Sequence, residues 1–468
     1  MTNQFDIAII GAGSAGLIGA GFAAALGATV ALLENNRIGG DCTWTGCVPS
    51  KALIRAARTA HEAAEGARLG IETGSARADM PRVRGWVRSA ISNIYLHTTP
   101  EALERQGITV FSGPTAFAGE HAITCGEQRI VATRILICTG ARATVPEIPG
   151  LAHTPFLTYD TLFDLDALPS HLIVLGAGPL GVEMAQAFRR LGARVTVVGP
   201  QILPREEPET QRLLLDVLTK EGAEVILERG TEVRAVGNDI ALRTANRSVT
   251  GDCLLVAAGR TPNLNSLELQ RAGVIHDARG IHVDKYLRTN VRHIYACGDV
   301  IGGPQFSHLA GWQAFQAVRN ALVPGRATGI PDALPAVTFS DPEVARVGTT
   351  EAEARKRFGN AVEASYWPMS KSDRAVCDGE THGFIKLVTH RGRRILGATI
   401  VASRAGEMIA EVTLAIQNGM SVDALAGTIH AYPTWSSALQ LAALDVMMTR
   451  LRRSRGGRFV QWLSRLKR

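Results

Sequence analysis

The chain has 468 residues, of which 46% are hydrophobic and 20% charged, with 48 glycines, seven cysteines and a formal net charge of +7. That length argues against a single core and for about three domains, and the hydrophobic content suits buried parallel sheets. The composition excludes a disordered chain and a disulfide scaffold. No run of 18 or more apolar residues occurs, which argues against a membrane-spanning helix, and Met1-Thr2-Asn3-Gln4 lacks the pattern of a signal peptide, so a cytoplasmic address is expected.

Phe5 to Ile10 reads as a buried parallel strand, followed at once by Gly11-Ala12-Gly13-Ser14-Ala15-Gly16 and a small-residue helix over about Leu17–Leu26. Thr29 to Leu33 is a second strand, ended by Glu34. Each part has a task in binding a dinucleotide. Gly11 permits the tight turn, Gly13 lets the backbone approach a pyrophosphate, and Gly16 lets helix and strand pack closely. The helix start around Ser14 offers free N–H groups to the phosphates, and Glu34 can accept hydrogen bonds from ribose hydroxyls.

Next comes Gly39-Gly40-Asp41-Cys42-Thr43-Trp44-Thr45-Gly46-Cys47-Val48-Pro49-Ser50-Lys51, its first cysteine eight residues after Glu34. A cysteine pair with four residues between can be a redox couple, a stabilising disulfide or half of a zinc site. No second Cys/His pair has ligand spacing, which argues against zinc and leaves no structural metal expected. A structural disulfide is rare in a chain without secretion features. Of the other cysteines, Cys138, Cys253 and Cys297 lie in or beside apolar strands and read as small hydrophobes, while Cys377 sits in a polar stretch.

A second nucleotide unit follows: strand His171–Leu175, turn Gly176-Ala177-Gly178-Pro179-Leu180-Gly181, helix Val182–Leu191 and strand Arg194–Val198. Two units suggest two dinucleotides. Position 199 is Gly, where an NAD site usually has an acid that favours a free 2′-hydroxyl. That favours NADPH over NADH, with Arg194 and Arg205 as phosphate partners, and leaves a site open to either nucleotide as the alternative.

Further motifs follow downstream. Thr139-Gly140 follows the strand Ile135–Cys138, Leu254 to Asn263 contains Gly259-Arg260, Ile294 to Val300 contains Gly298-Asp299, and Phe339 to Gly348 opens the last region. Together with the cysteine run and the two fingerprints, these resemble the pyridine nucleotide-disulfide oxidoreductases, the flavoproteins related to glutathione reductase, dihydrolipoamide dehydrogenase and mercuric reductase. The resemblance covers about residues 5–445. It implies an α/β fold with two Rossmann-like domains, one for FAD and one for NAD(P)H, and an α+β dimerisation domain that makes a homodimer. The implied domains are 1–150 and 266–330 for FAD, 151–265 for NAD(P)H and 331–449 for dimerisation. The implied cofactor residues are Gly11, Gly13, Ser14, Gly16, Glu34, Gly40, Lys51, Thr139, Gly140, Gly176, Gly178, Gly181, Gly259, Arg260, Gly298 and Asp299, the last on the ribityl chain.

The implied chemistry is an electron relay. Nicotinamide reduces FAD, and FAD reduces a Cys42–Cys47 disulfide. Cys42 then attacks the acceptor while Cys47 faces the flavin, and either can ligate a substrate metal transiently. Lys51, one helical turn after Cys47, approaches the flavin and pairs with Glu183. The family's disulfide reductases carry His-Pro-Thr-x-x-Glu near the C-terminus, but here the run is His430-Ala431-Tyr432-Pro433-Thr434-Trp435-Ser436-Ser437. Tyr432 takes the His place and Ser437 the Glu place. A phenol is a poor proton acceptor at neutral pH, and Tyr at this position resembles mercuric reductases. His430 reads as a capping or packing residue in preference to a substitute base. Unlike a typical mercuric reductase, the chain has no Cys after 377 and no metal-binding module before residue 5. A metal ion or a thiol/disulfide is the expected acceptor, and a quinone stays open. Dihydrolipoamide- or glutathione-type disulfides are the alternative, and a slow-turnover redox or membrane-docked partner protein is a third reading.

The basic excess has a local origin. Arg450, Arg452, Arg453, Arg455, Arg458, Arg465, Lys467 and Arg468 outweigh the net +7 by themselves, so the rest of the chain carries about −1. With Phe459, Leu463 and Leu466 at helical spacing and Val460 and Trp462 adjacent, 450–468 reads as an amphipathic tail able to lie on anionic lipid, with a solvated basic end as the alternative. Nucleic acid is not an expected partner, because the rest of the chain is near neutral.

Overall fold

A computed structural model describes residues 3–74, 77–454, 456 and 458. They divide into two compact units. One runs to Gln201 and resumes over Glu221–Pro331, and the other takes Ile202–Lys220 and continues from Asp332.

The first unit is built on two parallel sheets. In the larger, Ile108–Ser112, Val30–Glu34, Asn3–Ile10 and Gln128–Ile137 lie side by side in parallel. The far edge of Gln128–Ile137 is shared: its first half pairs with the antiparallel strand Ala122–Cys125, and its last residues pair in parallel with Ile294–Ala296. Asn3–Ile10 is apolar without alternation because both its faces are covered. Ile7 and Ile9 pack with Ala310, Ala314 and Val318 on one side, while Ala8 and Ile10 pack with Phe117, Ile123 and Leu269 on the other. The return of Ile294–Ala296 matters for function, because it brings Gly298 and Asp299 to the same sheet end as the first glycine turn.

The second sheet orders Glu224–Ile226, Arg194–Val198, His171–Leu175 and Cys253–Val256, all parallel. The chain leaves the first sheet through Ala141–Ala143 and comes back through Arg260–Pro262, and these two strands pair antiparallel. Thr139 and Asn263 stitch the crossing, the Thr hydroxyl donating to the Asn263 carbonyl at 2.9 Å and the Asn263 amide to the Thr139 carbonyl at 3.1 Å.

The second unit carries an antiparallel five-stranded sheet, Ala336–Thr338, Glu343–Gly348, Arg394–Ala402, Phe384–His390 and Val362–Pro368. Its core combines Ile385, Leu387 and Ile400 from the sheet with Met408, Val412, Leu439 and Val446 from the helices Ala405–Gln417 and Trp435–Arg453. The whole is the expected α/β class with two Rossmann-like sheets and an α+β third region. The long last helix carries the expected apolar run 439–448 and extends to Arg453, where Arg450 donates to Asp423 at 2.6 Å and to the Gly392 carbonyl at 2.7 Å. The apolar residues expected to form the lipid-facing side of the tail, Phe459, Val460, Trp462, Leu463 and Leu466, lie outside the described residues. Among the described residues no helix is long and apolar enough to cross a membrane.

Segment Ile202–Lys220 joins the second unit through charge. Lys386, 5% exposed, contacts Glu207 at 3.1 Å, Glu209 at 3.2 Å and Glu351 at 2.8 Å, and Glu207 also accepts the Glu351 backbone N–H at 2.7 Å. The Lys386 hydrogen bond holds the Glu351 carboxyl below its usual range against the opposing effect of burial. A depressed carboxylate contributes stability above its unfolded pKa and loses it as pH falls through the folded one. Lys386→Met strands three carboxylates and is expected to cost about 3–5 kcal/mol, read as a lowered melting temperature by calorimetry at pH 7. The gap from the parent should narrow below about pH 4, where carboxylates protonate. A constant gap down to pH 3 would contradict the ionic account.

Candidate active site: a thiol pair on a dinucleotide turn

The first glycine turn has the shape of a phosphate cradle. Gly11 stands at φ +102°, and a Cβ at Gly16 would meet the Gly11 carbonyl oxygen at 1.8 Å, so only glycine lets the helix Ser14–Ala25 start where it does. No acid lies in that helix's first turn and no side chain caps it, which leaves its N–H groups for an anion. Glu34 ends the second strand with one carboxylate oxygen accepting from Ala12 N at 2.6 Å and the other from Asn36 N at 2.8 Å. Burial raises its pKa despite these bonds.

The cysteine run folds directly onto this cradle. Gly40 (φ +58°) presses on Gly13 so closely that a Cβ on Gly40 would stand 2.8 Å from Gly13 Cα, and Gly39 N donates to the Ala12 carbonyl at 2.8 Å. A short helix, Gly40–Trp44, carries Cys42, and the long helix Cys47–Ala64 starts on Cys47. Trp44 braces the turn, its indole N–H donating to the Ile38 carbonyl at 2.8 Å and its ring lying 5.1 Å from that of Tyr95. Both cysteines are free thiols, Cys42 half-buried and Cys47 exposed.

Electrostatically the thiols behave as one group. A hydrogen bond from Cys47 lowers the Cys42 pKa to about 6, outweighing burial, with Ser307 and Ser14 adding to the effect. Cys47 is pushed up, first by giving its hydrogen to Cys42 and then by burial, while Lys51 and Ser307 pull it back. Lys51 Nζ lies 2.9 Å from Glu183, whose side chain is 5% exposed. Glu183 comes from Pro179–Leu191, the helix of the second fingerprint, so the expected Lys51–Glu183 pair is present.

The other sequence-derived positions cluster by motif. Thr139 and Gly140 follow the strand Gln128–Ile137, and Gly298 and Asp299 follow Ile294–Ala296. Asp299 has its pKa raised by burial, and Arg260, one residue after Gly259, lies 3.3 Å from it. In the second fingerprint Gly176, Gly178 and Gly181 repeat the first cradle, with a Gly181 Cβ reaching the Gly176 carbonyl oxygen at 1.9 Å. Two cradles, each with a buried strand on one side and an uncapped or Pro-started helix on the other, fit two dinucleotides. The structure corrects one phosphate partner: Arg194 opens its strand, about 16 Å from the turn at Gly199, and leans toward Glu224 at 3.9 Å. Dinucleotides sit at the carboxyl ends of such strands, so Arg194 is removed from the 2′-phosphate. Gly199 itself abuts the cradle, since a Cβ there would lie 2.9 Å from that of Ala177.

In the second unit, Tyr432 is 74% exposed and donates its hydroxyl to Asp373 at 2.7 Å, a bond that raises the phenol pKa. His430 is held at both ring nitrogens, Nε2 by Glu411 at 2.9 Å and Nδ1 by the Thr428 carbonyl at 2.9 Å, with only 8% of its side chain exposed. Ser437 bonds back to Thr434, which caps the last helix.

Comparison with known proteins agrees with this geometry. Residues 5–314 match the family described as pyridine nucleotide-disulphide oxidoreductase, and residues 334–443 match that family's dimerisation domain. The chain belongs to the pyridine nucleotide-disulphide oxidoreductases. Mercuric reductase of Streptomyces lividans is 36% identical over 94% of this chain and 95% of its own length, and that of Bacillus cereus is 34% identical over 94% and 71%. Among solved structures, the HOCl-induced flavoprotein disulfide reductase RclA of Escherichia coli superposes with a TM-score of 0.85 at 28% identity, covering 94% of this chain and 99% of its own. LpdA of Mycobacterium tuberculosis gives 0.86 at 28% identity over 95% and 100%.

As a member of this family the protein is a flavin-dependent oxidoreductase that uses FAD and a pyridine nucleotide. Both ring nitrogens of His430 are already engaged. Sequence reasoning missed Ser307, whose hydroxyl lies 3.4 Å from Cys47 Sγ at the start of the helix Ser307–Leu322. Its only signal was its place nine residues after the Gly298 motif. Tyr159, beside Arg260 and Asp41, carried no signal at all. In the reduced protein, iodoacetamide labelling of Cys42, followed by mass spectrometry, is expected to rise with an inflection near pH 6 and to fall below it. An inflection near the free-thiol value of about 8.5 would contradict the coupled pair.

Proposed function

We propose that this flavoprotein passes two electrons from a nicotinamide nucleotide, NADPH in preference to NADH, through Cys42 and Cys47 to a soft metal ion. The observation that carries the reading is the setting of the thiol pair. Cys42 is a lowered-pKa thiol, Cys47 is exposed, and Lys51 lies one turn on, held by Glu183. Bound FAD supplies the two-electron link between the nicotinamide and the disulfide. Cys42 acts as the attacking thiol and Cys47 as its resolving partner. Two electrons and two protons convert their disulfide to a dithiol, a thiophilic metal ion displaces the two thiol protons and is held between the sulphurs, and the two electrons pass to the ion as the S–S bond re-forms. Lys51 keeps a positive charge beside the site, and Glu183 fixes its position.

The nature of the acceptor rests on the C-terminal run and the relatives. Tyr432 replaces the expected histidine, and its phenol is already a donor to Asp373. A proton acceptor suited to a thiol leaving group is therefore not offered by this side chain. Relatives at 34% and 36% identity are named mercuric reductases, and RclA has been solved as a Cu(II) complex. The dimerisation domain supports a homodimer, in which Tyr432 would stand beside the partner subunit's Cys42. The same proposal assigns 1–150 and 266–330 to FAD, 151–265 to the nicotinamide nucleotide apart from Ile202–Lys220, which packs with the second unit, and 331–449 to dimerisation, supported by which strands share a sheet. Membrane contact through 450–468 draws no support from the relatives and is not part of the proposal.

Anaerobic titration with NADPH, followed by addition of Hg(II), Cu(II), lipoamide or glutathione disulfide, tests the reading. A long-wavelength thiolate–flavin band that a metal ion discharges through repeated turnovers is expected. Discharge by the disulfides alone would move the activity to the lipoamide or glutathione class, and no discharge by any of them would favour a slow redox partner protein. Cys42→Ser and Cys47→Ser should each lower metal-dependent turnover by at least about 100-fold at unchanged FAD content, and unchanged turnover would point to direct flavin oxidation instead. Steady-state kcat/KM is expected to be higher with NADPH than with NADH, because no acid occupies position 199 to repel a 2′-phosphate. A ratio at or below one would reverse that preference.

A further inference from the structure

The turn that carries the thiols is short. Gly40–Trp44 has five residues, far below the length at which a helix holds itself together in water. Its side of the fold is nevertheless fixed, and the fixing group is the residue just before Cys42. Asp41 Oδ2 accepts from Arg260 Nη2 at 2.6 Å and from the Tyr159 hydroxyl at 3.1 Å. Its backbone carbonyl accepts from Thr45 N at 2.9 Å, closing the turn between the cysteines. Thr45, four residues after Asp41, approaches Asp160, the neighbour of Tyr159, at 3.5 Å.

Arg260 is suited to this task by shape as well as charge. Its guanidinium lies over the Tyr159 ring with 4.7 Å to the centroid, and the same Nη2 reaches the Ala141 carbonyl at 3.1 Å and Asp299 at 3.3 Å. One nitrogen, Nη2, thus touches the cysteine turn, the neighbouring strand of the chain crossing and the second flavin motif. A guanidinium can stack on a ring and donate in its own plane at once, which an ammonium cannot. Asp41, Tyr159 and Arg260 are far apart in sequence, and the cation stands between two carboxylates, Asp41 and Asp299, that would otherwise face each other.

We infer that Asp41, Arg260 and Tyr159 form a tether that holds Cys42 and Cys47 in disulfide-forming register, with Arg260 a positioning residue acting on the thiols through Asp41. The inference rests on the proposed thiol relay and adds its control. A held turn keeps the two sulphurs at high effective concentration, and a released turn lets them part and disfavours the S–S bond.

The test equilibrates the FAD-loaded full-length protein with mixtures of reduced and oxidised dithiothreitol, traps thiols by alkylation and counts the Cys42–Cys47 pair by mass spectrometry. Dithiothreitol gives up two electrons and two protons as its own S–S bond forms, and the protein S–S bond becomes two S–H groups. Asp41→Asn and Arg260→Met are each expected to shift the equilibrium toward dithiol by about tenfold, and the double variant by no more than the larger single shift, as for residues acting through one contact. FAD per chain, measured on the same samples, separates this effect from loss of cofactor. Should Arg260→Met fail to fold, Tyr159→Phe removes one hydroxyl and is expected to shift the equilibrium the same way by about threefold. An Asp41→Asn equilibrium within about twofold of the parent at full FAD content overturns the tether while leaving the relay standing. A parent whose cysteines never form the disulfide overturns the relay and the tether with it.

Discussion

The contact on which this site depends is backbone against backbone, Gly40 on Gly13. The two glycines approach so closely that neither side chain nor water separates the cysteine turn from the phosphate turn. Gly39 adds a hydrogen bond to Ala12 in the same cradle. A dinucleotide lying across Gly13 therefore has the thiol pair beside it by construction. The sheet below is rigid because its central strand is buried on both faces, and the helix above starts where Gly16 lets it. Redox chemistry between a cofactor and a disulfide needs a fixed short gap, and this arrangement fixes it without a flexible arm.

Charge is then distributed around that fixed gap. Lys51 brings a cation to the thiols and is itself held by a buried acid from the second nucleotide unit. Arg260 neutralises Asp41 on the other side. The thiols share a hydrogen, so the first ionisation is easy and the second is hard. Such a pair suits a nucleophile that must attack as a thiolate and then be released by its neighbour. The two nucleotide units are thus connected at the site in two ways, through the Lys51–Glu183 pair and through the stitched crossing at Thr139 and Asn263.

The second unit follows a different logic, with polar groups committed to each other. His430 has an acceptor at each nitrogen, and Tyr432 gives its proton to Asp373. The exposed end of this loop therefore presents a neutral phenol in place of a base. Lys386 with its three carboxylates performs a structural version of the same pairing, binding a segment from mid-chain to the C-terminal sheet.

The local features were legible in the sequence because each is set by neighbours in the chain. Gly11, Gly13 and Gly16 mark a turn only glycine can make, the apolar run from Ile7 to Ile10 marks a doubly covered strand, and Cys42 and Cys47 bracket one turn before a helix. The pairing of Lys51 with Glu183, 132 residues apart, was reached only through resemblance to a family. Strand ends were less legible, since Asn3 and Gln128 extend their strands through polar residues that pairing, not hydropathy, recruits. What only the tertiary structure decided are the contacts between distant segments. Arg194 reads as a phosphate ligand until its strand direction puts it at the wrong end. Ser307 and Tyr159 become neighbours of the cysteine turn only after Ile294–Ala296 and Arg260–Pro262 return to their sheets. Hydropathy and turn chemistry act over a few residues and so are written locally. The partner of a buried cation or thiol is chosen by where the chain comes back, and no short pattern records that.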